Sequence, residues 1–276
     1  FARISAEVLS SLGFKVYLFE DLRPTPELSY SVRSKHAIAG IMITASHNPA
    51  AYNGYKVYWN DGGQIPPDIA NGIFEEISKI GYFEAKTKDD AEPIWVGKEI
   101  DEKYLECVLE QSLLKNTDEK SLKVIYTPLH GSGNRLVRGI LEKAGFKNTT
   151  VVSEQELPDG NFSTVKSPNP EDKECFEYAE KYAREIDANL IIATDPDSDR
   201  MGIEVKDGEK YIALSGNQVG ILLMNFILAN IPVPQNGAVV TTIVSTRMAE
   251  AIANFYKVKL FKTLTGFKYI GEKIHE

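Results

Sequence analysis

The 276-residue chain carries 31 Lys+Arg against 39 Asp+Glu, a formal net charge of −8, with 43% hydrophobic and 25% charged residues. That is ample length for a sizeable core and more than one typical domain, and the composition argues against disorder. The acidic balance speaks against a nucleic-acid binder or a membrane-surface protein; the two cysteines, Cys107 and Cys175, offer no disulfide framework or CxxC metal site and suit a reducing, cytoplasmic setting.

Residues 2–12 read as a helix stopped by Gly13. A buried strand at 15–19, a helix at 26–35 and an apolar strand at 39–46 follow. The segment 54–60 with the Asp-Gly-Gly turn at 61–63 suggests a hairpin-like excursion. Helical stretches at 67–80 and 100–114 lead into a polar segment, 115–121, read as a domain boundary. The pattern then restarts with a strand at 123–129, a helix at 134–146, a strand at 149–153, a helix at 172–186 and a strand at 188–195. A hairpin at 201–214 and a helix at 217–230 come next. The longest apolar stretch, 219–228, is interrupted by Asn225 and followed by Pro232, too short to span a bilayer. After a break at 231–237 come a strand at 238–244, a helix at 246–256, a strand at 258–264 and a helix start at Gly266.

Strands separated by helices of ten or more residues predict parallel α/β layers. The strand–loop–helix plan occurs three times, which predicts tandem α/β domains of similar three-layer architecture with mixed, mostly parallel sheets. The expected divisions are 1–116, 117–232 and the start of a third domain at 233–276. The chain opens on Phe1, with no signal peptide, and stops inside a helix-like stretch, so both ends read as cut from something longer.

Four loops could carry chemistry. Thr44-Ala45-Ser46-His47-Asn48-Pro49 follows an apolar strand, at the edge where open α/β sheets place ligands. Ser46 is a hydroxyl on a turn, with His47 beside it as a possible proton carrier and Lys56 ten residues on. A plain Asx-Pro turn with incidental Ser and His is the alternative. Ser46 lacks a G-x-S-x-G setting, and in an extended backbone His47 points elsewhere, so a serine hydrolase fits poorly. Asp195-Pro196-Asp197-Ser198-Asp199-Arg200 places three acids at alternate positions after a strand. In a near-extended backbone they share one face and repel unless a cation intervenes. Oxygen-only donors favour Mg²⁺ or Ca²⁺ over zinc. The EF-hand pattern fails at its sixth and twelfth positions, Arg200 and Lys206. A solvated acidic turn is the alternative. Arg200 suits phosphate oxygens, and carboxylates for a metal beside an arginine for phosphate are parts of a phosphoryl-transfer site. Thr265-Gly266 before a helix, with Lys268 in its first turn, offers hydroxyl and N–H groups to an anion, or is simply a capped helix. Thr127-Pro128-Leu129-His130-Gly131-Ser132-Gly133 has glycines that could admit a phosphate but lacks the P-loop pattern, and reads as mainly structural.

Taken together these motifs resemble the α-D-phosphohexomutase family, the phosphoglucomutases and phosphomannomutases. TASHNP resembles its phosphoserine loop, DPDSDR its magnesium loop, TLTGFKYIGEKI at 263–274 its third-domain sugar-facing loop, and TPLHGSG and PDGNF…PNPE at 158–171 its second-domain loops. The motifs run in family order along the chain. YNGYKVYWNDGGQI at 52–65 and ALSGNQVG at 213–220 are most similar to bacterial phosphoglucomutases related to the animal phosphoglucomutase-2 and phosphopentomutase group.

The resemblance implies a phosphate on Ser46 in the resting enzyme. It implies Mg²⁺ held by Asp195, Asp197, Asp199 and a phosphoserine oxygen. The phosphoryl group would pass to glucose 1-phosphate, giving a glucose 1,6-bisphosphate intermediate that also acts as activator; the bisphosphate turns over, and its other phosphate returns to Ser46. Lys56 would be the general acid/base, with His47 supporting loop and substrate. Arg200, Thr265, Gly266 and Lys268 would contact the sugar phosphate. Mannose or pentose phosphates are alternative substrates, and a fragment that only binds metal and phosphosugar is the alternative without catalysis. Family members have four domains, so the opening strand, the acidic sugar-specificity loop of domain three and the phosphate-gripping fourth domain are expected outside this stretch.

Overall fold

The structure, a computed structural model, describes residues 1–82, 84, 92–113 and 118–276. The boundary expected at 116/117 and the end of the helix expected to reach 114 lie outside the described residues. Two units are distinguished: Phe1–Ala45 with Asn53–Tyr104, and Ser46–Tyr52 with Leu105–Glu276.

In the first unit the chain runs α1 (Ala2–Ser11), β1 (Tyr17–Phe19), α2 (Thr25–Ser34), β2 (Ala39–Ile43), β3 (Tyr55–Trp59), α3 (Pro67–Ile77), β4 (Ile94–Val96) and the first half of α4 (Lys98–Glu110). Gly13, at φ +92°, follows the end of α1 in a conformation that suits glycine. Proline in the first turn of α2 and of α3 fits the fixed φ of a helix start. β1 pairs with β4 in parallel, and β2 with β3 antiparallel. The sequence reading missed β4, a three-residue strand that is mostly exposed and so carries little apolar pattern. The turn at 61–63 forms and folds the chain back in a short antiparallel bridge, Tyr58 to Gln64, while β3 pairs along its length with β2. Gly62 sits at φ +80°, and a Cβ there would lie 2.6 Å from the Ser29 carbonyl oxygen, so the turn folds back onto α2. The buried Arg23 guanidinium donates to both oxygens of Asp101, at 2.6 and 3.1 Å, tying the entry of α2 to α4. Losing either partner would strand a buried charge.

The second unit holds a five-stranded mixed sheet in the order β6-β5-β7-β8-β9. Its elements are β5 (Val124–Thr127), α5 (Asn134–Lys143), β6 (Thr149–Val151), α6 (Ser153–Glu156), a 3-10 turn Lys173–Phe176, α7 (Glu177–Ile186), β7 (Leu190–Thr194), β8 (Met201–Asp207) and β9 (Lys210–Leu214). β5 pairs in parallel with β6 and β7, while β7, β8 and β9 form an antiparallel run. All four residues of β5 are buried, the signature of a strand covered on both faces. Ile125 and Ile191 pack with Phe176, Ala179 and Ala183 in the core under α7. Gly202 is required there: a Cβ would come within 2.0 Å of the Pro170 carbonyl oxygen. The short α6 was not legible in sequence.

The same unit continues through α8 (Gly216–Asn230), β10 (Ala238–Thr242), α9 (Met248–Tyr256), β11 (Lys259–Thr263) and α10 (Phe267–His275). β10 and β11 pair in parallel. Leu228, Ala253 and Val258 form their own small core. Helix α8 opens on a capping box in which Ser215 and Gln218 satisfy each other's backbone N–H groups. No helix among the described residues is long and apolar enough to cross a membrane.

One buried group stands out in the large sheet. Glu204, on β8 opposite Ile191, is wholly inaccessible, and neither carboxylate oxygen has a hydrogen-bond partner. Burial pushes its carboxyl up from 4.5 to about 7; Glu180 adds to the shift, while Lys173 and Arg184 oppose it. Between those two values the folded chain holds this proton and the unfolded chain does not, so raising pH through the window costs stability. Glu204→Gln should therefore raise the melting temperature at pH 8 and leave it nearly unchanged at pH 4. Thermal melts of both proteins across pH 4–8 check this, and equal shifts at both ends of the range would contradict it.

Candidate active site

β5 and β7 are parallel neighbours, so the loops that follow them leave the same edge of the sheet. The loop after β7 carries the acids. Asp195 and Asp197 are buried and Asp199 is exposed, and one ligand oxygen from each lies within 4.8 Å of the others. The backbone is not extended here, as the alternating pattern suggested. It turns, with Ser198 at φ +54°, and the three acids gather because the chain wraps round Asp195. Asp195 Oδ1 accepts the backbone N–H groups of Asp199 and Arg200, at 3.1 and 3.0 Å.

Those hydrogen bonds favour the charged carboxylate, and burial with two acidic neighbours opposes it. Burial and the repulsion from Asp197 and Asp199 win, pushing the Asp195 carboxyl up to about 7. A hard divalent cation bound by oxygen atoms would reverse that balance. The donors are all oxygen, as a hard ion such as Mg²⁺ prefers, so Asp195, Asp197 and Asp199 fit that ion.

The loop Ser46–Tyr52 belongs to the same unit as the acids. Ser46 Oγ donates to Asp195 Oδ2 at 3.0 Å and lies 3.2 Å from His47 Nδ1. The adjacency of Ser46 and His47 therefore does bring the two side chains together, contrary to the extended-backbone expectation. The reason is Ser46 itself, at φ +55°, a left-handed conformation that costs a non-glycine residue about 1 kcal/mol. The order is His–Ser–Asp, with the hydroxyl in the middle. A hydrolase triad needs the imidazole in the middle, which agrees with rejecting that chemistry.

Arg200 is half exposed and 4.0 Å from Asp199 Oδ1, at the rim of the acid cluster. Lys56 lies on β3 of the first unit, opposite Met42. Thr265 and Gly266 join β11 to α10, and Gly266 stands just before the helix at φ +133°. Lys268 holds its ammonium over the Tyr269 ring at 5.1 Å. The geometry thus joins Ser46, His47 and the three aspartates, with Arg200 at the edge. It leaves Thr265, Gly266 and Lys268 on a separate sheet edge whose helix packs on β10 and β11.

The loop after β5, read from sequence as mainly structural, packs against the acid loop. Its glycines admit protein atoms instead of a phosphate. A Cβ on Gly131 would meet Pro196 Cα at 2.4 Å; one on Gly133 would meet Tyr126 OH, Ser198 Oγ and Thr194 Oγ1 within 2.8 Å. His130 is anchored on Leu157 O and Thr164 Oγ1, at 3.0 and 2.8 Å. The Gly-Ser-Gly run after a buried strand was the available signal.

The chain matches three family models: phosphoglucomutase/phosphomannomutase α/β/α domain I over residues 1–83, domain II over 102–208 and domain III over 215–276. It is 41% identical over 281 residues to a phosphoglucomutase of Staphylococcus epidermidis, covering 99% of this chain and 51% of that protein. A Staphylococcus haemolyticus phosphoglucomutase is 38% identical over 290 residues, with 100% and 51% covered. The chain therefore spans about half the length of the curated relatives it matches. A solved phosphoglucomutase/phosphomannomutase family protein from Burkholderia thailandensis shares the fold at 20% identity and a TM-score of 0.75, over 97% of this chain and 55% of its own.

Millimolar Mg²⁺ is expected to raise the melting temperature of the chain, and excess chelator to return it. Asp195→Asn should show no such rise. If the variant gains as much as the parent in calorimetry, the acid cluster is not where the ion binds.

Proposed function

Because the chain belongs to the phosphoglucomutase/phosphomannomutase family, we propose that it is the serine- and metal-bearing part of a phosphohexomutase. The reaction is interconversion of glucose 1-phosphate and glucose 6-phosphate, in a cytoplasmic setting. One observation carries the reading: the Ser46 hydroxyl lies 3.0 Å from Asp195, inside a three-carboxylate cluster. A metal loop and a nucleophilic hydroxyl in contact are what phosphoryl transfer through a phosphoserine needs. The phosphoglucomutases among the relatives, at 41 and 38% identity, support glucose as the sugar.

In this reading Asp195, Asp197 and Asp199 hold Mg²⁺, which supplies charge neutralisation to the transferring phosphoryl group. Ser46 carries that group. In the first half-reaction Lys56 takes the proton of the sugar hydroxyl, whose oxygen forms a new bond to phosphorus. The bond from phosphorus to Ser46 Oγ breaks, leaving its electron pair on Oγ, which takes up a proton from His47. The product is glucose 1,6-bisphosphate. After it turns over, Ser46 attacks the other phosphate and the same steps run backwards. Arg200, Thr265, Gly266 and Lys268 bind the sugar phosphate's oxygens. The division into 1–116, 117–232 and 233–276 is part of the same proposal.

In the full-length protein, Ser46→Ala should lower conversion of glucose 1-phosphate by about a thousandfold or more. A coupled assay for glucose 6-phosphate measures this, and mass spectrometry of the Ser46 peptide should find the phosphate. Unchanged turnover in the variant would remove Ser46 from the mechanism; faster turnover of mannose 1-phosphate by the parent would change the substrate.

A further inference from the structure

The acid loop is held from outside as well as from within. Pro196 separates Asp195 from Asp197, and its carbonyl oxygen receives two hydrogen bonds from one residue of the neighbouring loop. The Ser132 backbone N–H donates at 2.8 Å and the Ser132 hydroxyl at 2.9 Å. That carbonyl belongs to the peptide joining Pro196 to Asp197, so fixing it fixes the plane from which the Asp197 side chain departs. Gly131 lets this approach happen, since any Cβ there would lie 2.6 Å from the same oxygen. Ser132 is itself seated firmly. The chain before it passes through Leu129 and His130, both left-handed at φ +47° and +62°, and His130 is buried with both ring nitrogens bonded.

We infer that Ser132 is a positioning residue that sets the spacing of the Asp195 and Asp197 carboxylates for a small divalent ion. The inference rests on the metal-site reading above. Its physical content is selectivity. Mg²⁺ demands near-octahedral geometry with short bonds, whereas Ca²⁺ accepts irregular, looser arrangements. A residue that only contributed to stability would change both affinities together, or neither. A residue that holds the carboxylates at a set separation would matter much more for the smaller ion. Loss of a group that orients metal ligands costs about tenfold or more in affinity.

The test uses Mn²⁺ as the probe, with the free ion counted by electron paramagnetic resonance and with Mg²⁺ and Ca²⁺ measured by displacement. Ser132→Ala removes the hydroxyl and keeps the N–H bond. It is expected to weaken Mg²⁺ by about tenfold and Ca²⁺ by less than about threefold, so the Mg²⁺/Ca²⁺ preference falls. Ser132→Thr, which restores a hydroxyl, should recover the preference. Circular dichroism reports whether each variant folds. Should Ser132→Ala not fold, Ser132→Cys carries the same comparison with a weaker donor. An unchanged preference in a folded variant lacking the hydroxyl overturns the inference while leaving the metal site standing. If the parent and Asp195→Asn retain Mn²⁺ equally, the metal-site reading fails, and this inference with it.

Discussion

Three carboxylates within 4.8 Å of one another, two of them buried, is the constraint around which the second unit is built. At an effective dielectric constant near 20, two full charges at that separation repel by roughly 3 kcal/mol. A surface loop would relax by spreading. This one is prevented from spreading by hydrogen bonds to its own backbone at Asp199 and Arg200 and by Ser132 gripping Pro196. The Asp195 carboxyl registers the cost: burial first, and then repulsion from Asp197 and Asp199, push it up to about 7. A site that stores like-charge repulsion in a fixed turn is preorganised for a cation, because binding relieves repulsion without first moving the ligands.

The sheet explains why the turn can be fixed. β5 and β7 lie side by side in parallel, so the loop carrying Ser132 and the loop carrying the aspartates rise from adjacent strand ends. Tyr126 on β5 and Thr194 on β7 bond to each other at 2.9 Å beneath them, joining the two strand ends through buried hydroxyls. Gly133 keeps space open over that pair. The packing of β5 on both faces, the small alanines of α7 and the two glycines are therefore one arrangement. Each removes a way in which the acid loop could drift.

Much of this was legible in sequence, for physical reasons that differ by element. Long elements with a clear period, such as α8 and the β8–β9 hairpin, follow the predicted spans closely, while α7 starts at Glu177 after a 3-10 turn instead of at 172. Two short ones went unseen: β4 and α6 have three and four residues, too few to establish a pattern. The partner of β3 was not legible, because an Asp-Gly-Gly turn signals a chain reversal and says nothing about which strand lies alongside. In the site, residue identity pointed to Ser46 and the aspartates, but backbone shape did not follow from it. Ser46, His130 and Ser198 all sit at positive φ, which single-residue preferences disfavour. Tertiary contacts impose those angles, and they decide where His47 and Asp195 point. Ser132 escaped notice because a serine between two glycines looks like ordinary loop composition until its partner, Pro196, is seen.

The left-handed turn at Ser46 also places its Oγ between an imidazole nitrogen and a carboxylate oxygen. A hydroxyl has one proton. With that proton donated to Asp195 Oδ2, the 3.2 Å contact to His47 Nδ1 is a hydrogen bond only if the ring carries the donor. In that tautomer the imidazole faces Oγ as a hydrogen-bond donor. A hydrolase serine needs the opposite, a ring nitrogen bare and ready to take its proton. In the proposed reaction Oγ begins bonded to phosphorus and must leave with an electron pair, so a donor 3.2 Å away is the useful partner. Asp195, the acceptor on the other side, is at the same time a member of the proposed metal-binding set. The unphosphorylated hydroxyl therefore competes with the cation for one carboxylate oxygen, and phosphorylation of Ser46, by removing the hydroxyl proton, would release that oxygen to the metal.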